Sequence, residues 1–83
     1  MNAVQVYTTT YCPYCLAAKA LLDQKGIEYE EINLSGDIER RMKVVKELGW
    51  RTVPIIVIND NVIGGYTELK ALEAQDKLSS FFS

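Results

Sequence analysis

Two cysteines stand three positions apart, Cys12 and Cys15, where an apolar strand pattern gives way to a helical one, and the chain has no others. Val4-Gln5-Val6-Tyr7 precedes them, and Leu16-Ala17-Ala18-Lys19-Ala20-Leu21-Leu22 follows. The thiols therefore fall at a helix N-terminus. There the unpaired backbone N–H groups and the positive end of the helix dipole favour an anion, which for cysteine is the thiolate. Cys15 shares a face of the first turn with Cys12, so its sulfur can reach that of Cys12 without backbone movement.

A ring this small constrains an unfolded chain very little, and small secreted scaffolds carry several bridges rather than one. With two cysteines and no histidine, the pair reads as a redox couple in a reducing, cytoplasmic compartment. The same C-x-x-C spacing is half of a zinc site, but neither a second pair nor an imidazole is present to complete it. Two other readings stand beside the redox one: an iron–sulfur cluster shared between two subunits, and two thiols that are merely small buried hydrophobes.

Eighty-three residues suit one domain, 1–83, with little core to spare. Nine basic and eleven acidic residues give a net charge of -2, which offers no footprint for nucleic acid. Met1-Asn2-Ala3-Val4-Gln5 has neither a basic nor a long apolar export segment, and no apolar run is long enough to cross a bilayer. The expectation is a soluble, unprocessed chain without a membrane partner.

Along the chain, residues 3–8 are β-branched and aromatic and read as a strand. Pro13 opens a helix of about thirteen residues. Leu16, Ala17, Ala20 and Leu21 form its expected core stripe, and Gly26 its stop. Residues 27–34 alternate apolar with acidic, a strand with one wet face. Ser35-Gly36-Asp37 is a turn and cap. Ile38, Met42, Val45 and Leu48 then mark a second amphipathic helix, basic on its outer face and closed by Gly49. Residues 52–58 and Val62-Ile63 form a hairpin across Asn59-Asp60-Asn61, with Pro54 at the strand's start or edge. Residues 67–78 carry Leu69, Leu72 and Leu78 as a third helix. The order β-α-β-α-β-β-α implies an α/β fold. Its first two strands are parallel through a right-handed crossover and its last two antiparallel, in one four-stranded mixed sheet flanked by three helices.

Cys12-Pro13-Tyr14-Cys15, Thr52-Val53-Pro54 and Gly64-Gly65, in this order and spacing, resemble the glutaredoxins of the thioredoxin-like fold, and the likeness covers essentially the whole chain. Members of that family are small glutathione-dependent thiol–disulfide oxidoreductases. The resemblance makes Cys12 the nucleophile and Cys15 the resolving thiol, with Pro13 and Tyr14 setting the redox poise. It makes Pro54 a cis-proline and Val53 the backbone against which an extended glutathione pairs. Gly64-Gly65, followed by Tyr66-Thr67, would receive the γ-glutamyl end, with Thr67 as helix cap. Thr52 belongs to the same groove. Arg51, and more remotely Arg40 or Arg41, would hold the other carboxylate of glutathione. Tyr11, Tyr14 and Trp50 stand near enough in sequence to wall the groove, Trp50 being expected to lie partly buried.

Two departures matter. Many glutaredoxins carry a lysine three residues before the nucleophile, where this chain has Thr9, and Lys19 is the nearest basic residue along the first helix. Gly49-Trp50-Arg51 and Ile55-Ile56 also resemble glutaredoxin-like redoxins that thioredoxin reductase reduces and that feed ribonucleotide reductase. The implied function is reduction of protein disulfides and glutathione mixed disulfides by a monomer, with glutathione as reducing co-substrate and no metal. The partners are glutathione and disulfide-containing or glutathionylated proteins, ribonucleotide reductase among them. The redoxin is the alternative, and a homodimeric [2Fe–2S] carrier built on Cys12 and glutathione is a third.

Overall fold

The computed structural model describes residues 3–78. Its elements run β1 (Val4–Thr8), α1 (Pro13–Gln24), β2 (Glu30–Asn33), α2 (Ile38–Leu48), β3 (Ile55–Ile58), β4 (Asn61–Gly64) and α3 (Tyr66–Ala74). The strands lie in the order β2-β1-β3-β4. β1 runs parallel to β2, while β3 is antiparallel to both β1 and β4. The element order, the parallel β1–β2 pair and the antiparallel β3–β4 pair are those the sequence implied, and the structure adds the antiparallel β1–β3 pair at the centre.

β3 explains the layering. All four of its residues are buried, as befits an uninterrupted apolar run covered on both faces. Ile56 and Ile58 turn to one side and meet Val4, Val6, Ala18, Leu22, Leu69 and Leu78, so α1 and α3 cover that face. Ile55 and Val57 turn to the other, where Leu34 and Val44 close a smaller cluster beneath α2. The β3–β4 hairpin pivots on Asn59 and Asp60, both at positive φ, the two-residue turn whose twist matches paired strands.

Three expected stretches are shorter or shifted. β2 begins only at Glu30 because Ile27 is consumed in ending α1. With Gly26 at φ 70, the Gly26 N–H donates to the Asp23 carbonyl and the Ile27 N–H to the Leu22 carbonyl. β3 begins after Pro54 rather than at residue 52. α3 begins at Tyr66 and its cap is Gly65, not Thr67, which lies exposed in the first turn. The Glu68 carboxylate accepts from the Gly65 N–H at 2.9 Å, which occupies one donor at that end of the helix.

Two core stripes are also rotated. In α1 the buried residues are Cys15, Ala18 and Leu22, whereas Leu16 is 63% exposed and Ala20 is exposed too. Residues 15–22 are apolar except for Lys19, so periodicity alone does not choose a face. Packing against the sheet chooses it, with Ala18 and Leu22 meeting Val6, Ile56 and Ile58, while Lys19 Nζ meets Glu31 Oε2 at 3.0 Å. In α2 the buried residue is Val44, with Leu48 packed beside it, while Ile38 and Met42 are 75% and 67% exposed. On that face of the sheet Val44 packs with Leu34, Ile55 and Val57, flanked by Tyr7, Ile32, Leu48 and Trp50, while Ile38 and Met42 lie outside the cluster. Asp37 caps α2 through the Arg40 N–H, and Gly49 closes it, as the sequence indicated.

Candidate active site

The loop between β1 and α1 is held before it reaches the cysteines. Thr8, buried at the end of β1, donates its hydroxyl to Glu31 Oε2 at 2.8 Å, and Lys19 donates to the same oxygen. These two hydrogen bonds, the lysine's first, hold the Glu31 carboxyl below its ordinary titration range. Lys19 is thereby paired with Glu31. Two residues on, the Thr10 N–H donates to Ser35 Oγ at 2.6 Å, tying the loop to the start of the next crossover. Tyr11 then takes a positive φ of 62 with its ring in solvent. The chain thus turns sharply one residue before Cys12.

Cys12 is the N-cap of α1. Its backbone is extended, its carbonyl accepts from the Leu16 N–H, and its Sγ accepts from the Cys15 N–H at 3.1 Å. A sulfur in that place lies against the helix's unpaired donors, where negative charge is favoured most. Pro13 supplies the first helical residue without wasting a donor. Cys12 and Cys15 are joined as a disulfide, with their Cα atoms 5.2 Å apart, inside the usual range for that bond. The two sulfurs differ in access. Cys15 is only 2% exposed and packs inward from α1, while Cys12 is half-buried at the surface.

Across from Cys12 lies the segment leading into β3. The Val53–Pro54 peptide bond is cis, and the Val53 carbonyl oxygen is 3.9 Å from Cys12 Sγ. Val53 also lines a cleft of about 360 Å³. One wall is Thr52, Val53 and Pro54; another is Gly65, Tyr66 and Thr67 at the start of α3. Tyr14 reaches over from α1, its ring 6.3 Å from that of Tyr66.

Seven of the expected groove residues, Tyr14, Thr52, Val53, Pro54, Gly65, Tyr66 and Thr67, thus meet around one cleft. Arg51 is exposed and is not among its lining residues, and Arg40 and Arg41 lie on the outer face of α2. Trp50 is partly buried, as expected, and contributes to the cleft beside Gly64 and Gly65. Glu68 also lines it. The signal for Glu68 was available in the sequence: a glutamate three residues after a helix N-cap is half of a capping box.

The glutaredoxin family model matches residues 4–63. The chain belongs to the glutaredoxin family. A glutaredoxin of Pseudomonas aeruginosa is 42% identical over 83 residues, covering 100% of this chain and 99% of the relative. Glutaredoxin 3 of Escherichia coli is 42% identical over 78 residues, 94% of each chain. Among solved structures, the buckwheat glutaredoxin–glutathione complex superposes with a TM-score of 0.89 at 31% identity, covering 96% of this chain and 76% of that one. The fold is the thioredoxin-like fold of the glutaredoxins, and the Cys12–Cys15 pair makes this glutaredoxin a thiol–disulfide oxidoreductase.

Proposed function

We propose that this glutaredoxin reduces glutathione mixed disulfides and protein disulfides with glutathione as its electron donor. The observation that carries this reading is the placement of the Cys12 sulfur. It is half-buried at the surface, capped by a backbone N–H, and 3.9 Å from the carbonyl of Val53, a residue that lines the neighbouring cleft of about 360 Å³.

With a glutathionylated protein, the Cys12 thiolate attacks the glutathionyl sulfur. The S–S bond to the protein breaks, the protein leaves as thiolate and takes a proton, and Cys12 carries the glutathione. A second glutathione thiolate then attacks that mixed disulfide, releasing glutathione disulfide and regenerating the Cys12 thiolate. With a protein disulfide, Cys12 forms a mixed disulfide with one protein sulfur. Cys15, after losing its proton, attacks Cys12 and releases the second protein thiol, leaving the bond seen in this structure. Two glutathiones return the pair to the dithiol and leave as glutathione disulfide. Burial of Cys15 suits the second role, because it meets only a sulfur already attached to Cys12.

The groove roles follow. Val53 offers backbone to an extended ligand, a short case of strand addition. The first N–H groups of α3, next to Gly65, Tyr66 and Thr67, face a carboxylate as helix N-termini do. Tyr14 and Tyr66 wall the site, and Arg51 guides the second carboxylate from the rim. The buckwheat relative was solved as a complex with glutathione, which supports glutathione as the ligand. The protein acts as a cytoplasmic monomer, and ribonucleotide reductase belongs to the disulfide substrates it suits.

Turnover coupled to glutathione reductase tests the reading. Steady NADPH consumption with glutathione and a glutathionylated peptide is expected. Reduction by thioredoxin reductase alone would select the redoxin alternative instead.

A further inference from the structure

The glutathione end of the cleft holds a donor with no acceptor and a carboxylate in the way. Trp50 Nε1 is shielded from solvent and finds no hydrogen-bond partner among the described residues, a costly state for a donor. Beside it, Glu68 Oε1 occupies the Gly65 N–H at 2.9 Å. Both groups crowd the two glycines. A Cβ on Gly65 would lie 3.3 Å from Glu68 Oε1 and 3.8 Å from Trp50 Nε1. One on Gly64 would meet Glu68 Cγ at 3.0 Å, with Trp50 Cη2 and Cζ2 at 2.9 and 3.1 Å. The indole edge that carries Nε1 therefore runs along Gly64-Gly65, facing the Glu68 side chain. Glu68 Oε1 and Trp50 Nε1 thus border the same space beside Gly65.

We propose that Glu68 and Trp50 exchange a hydrogen bond when an anionic ligand enters: the γ-glutamyl carboxylate of glutathione takes the Gly65 N–H from Glu68, and the displaced Glu68 carboxylate is received by Trp50 Nε1. The exchange rests on the glutathione reading and adds to it a determinant of affinity. Glu68 acts as an internal carboxylate that the substrate must displace, so binding is weaker than the helix terminus alone would give. Trp50 offsets part of that cost by supplying a second partner, which removes the clash of two carboxylates at one donor. The acceptor is selected by charge and position, so the arrangement favours ligands with a carboxylate at the γ-glutamyl end over uncharged thiols.

Trp50 is the chain's sole tryptophan, so its emission reports this site alone. Reduced protein is titrated with S-methylglutathione, whose sulfur cannot exchange, and followed by fluorescence and by calorimetry. Wild type is expected to bind with a saturable shift in emission. Glu68→Gln keeps a cap oxygen but removes its charge, and is expected to bind about fivefold tighter with little emission change. Trp50→Phe keeps the ring floor without the N–H and is expected to bind about threefold more weakly in the Glu68 background, with no such loss when combined with Glu68→Gln. Calorimetric binding by wild type with unchanged emission, or Glu68→Gln binding no tighter than wild type, would overturn the exchange even if Trp50→Phe does not fold. No binding of S-methylglutathione to wild type would overturn the glutathione reading and the exchange with it.

Discussion

The backbone N–H of Cys15 points at Cys12 Sγ from 3.1 Å, so the amide of one cysteine caps the sulfur of the other. The contact belongs to the first turn of α1 and survives replacement of the Cys15 side chain, because the amide remains. Cys15→Ser should therefore keep an acidic, reactive Cys12 and retain deglutathionylation, while losing reduction of protein disulfides. Cys12→Ser should lose both. Equal loss of deglutathionylation in the two variants, measured with a glutathionylated peptide, would reverse the assigned roles.

Leu22 of α1 is wholly buried against the sheet, whereas Leu16, six residues earlier in the same helix, is mostly in solvent. Leu22→Ala should cost about 2–5 kcal/mol in urea unfolding, in the range for emptying a buried leucine site. Leu16→Ser should change stability by less than about 0.5 kcal/mol, as for other surface positions. A larger loss at Leu16 would restore the stripe that periodicity suggested.

Gly64 sits at φ 120, where an added Cβ would also press on the Trp50 ring at 2.9 Å. Gly64→Ala should lower stability by about 1–3 kcal/mol through backbone strain and contact together. Denaturant titration against Gly36→Ala checks this. Gly36 shares a positive φ but has open space around it, so its loss should be the smaller of the two.

Glu31 titrates below the ordinary carboxylate range because Lys19, then Thr8, donate to it. A carboxyl lowered in the folded state stabilises the fold above its unfolded pKa, and that contribution is lost as pH falls through the folded value. Glu31→Gln should therefore be less stable than wild type near pH 7, with the difference closing under strongly acid conditions. The Lys19–Glu31 pair is part-exposed, so the gap should stay below about 1 kcal/mol. Urea midpoints at neutral and acid pH measure it, and a gap that widens on acidification would contradict the assignment.

The order of elements was legible because strands and helices here change period at clear signals, such as Pro13, Asp37, Gly49 and the Asn59-Asp60 turn. Cys12 and its cap were legible for the same reason, since a strand-to-helix junction fixes where the thiols fall. Which face of α1 and α2 is buried was not. Residues 15–22 offer apolar side chains nearly all round, and α2 presents Val44, Val45 and Leu48 beside Ile38 and Met42, so packing against the sheet rather than periodicity decides. Thr67 drew attention as a cap because threonine often serves as one. The actual cap is Gly65, to whose N–H Glu68 reaches back across three residues, a local capping-box contact that the choice of threonine passed over.

The charge on Cys12 is the claim beneath the rest, and alkylation by iodoacetamide across pH tests it most directly, with Cys15→Ser as the protein so that one thiol reacts. The account predicts a rate that rises and levels off below pH 7, marking a thiolate held by the amides of α1. A rate still climbing through the ordinary cysteine range near about 8.5 would contradict it.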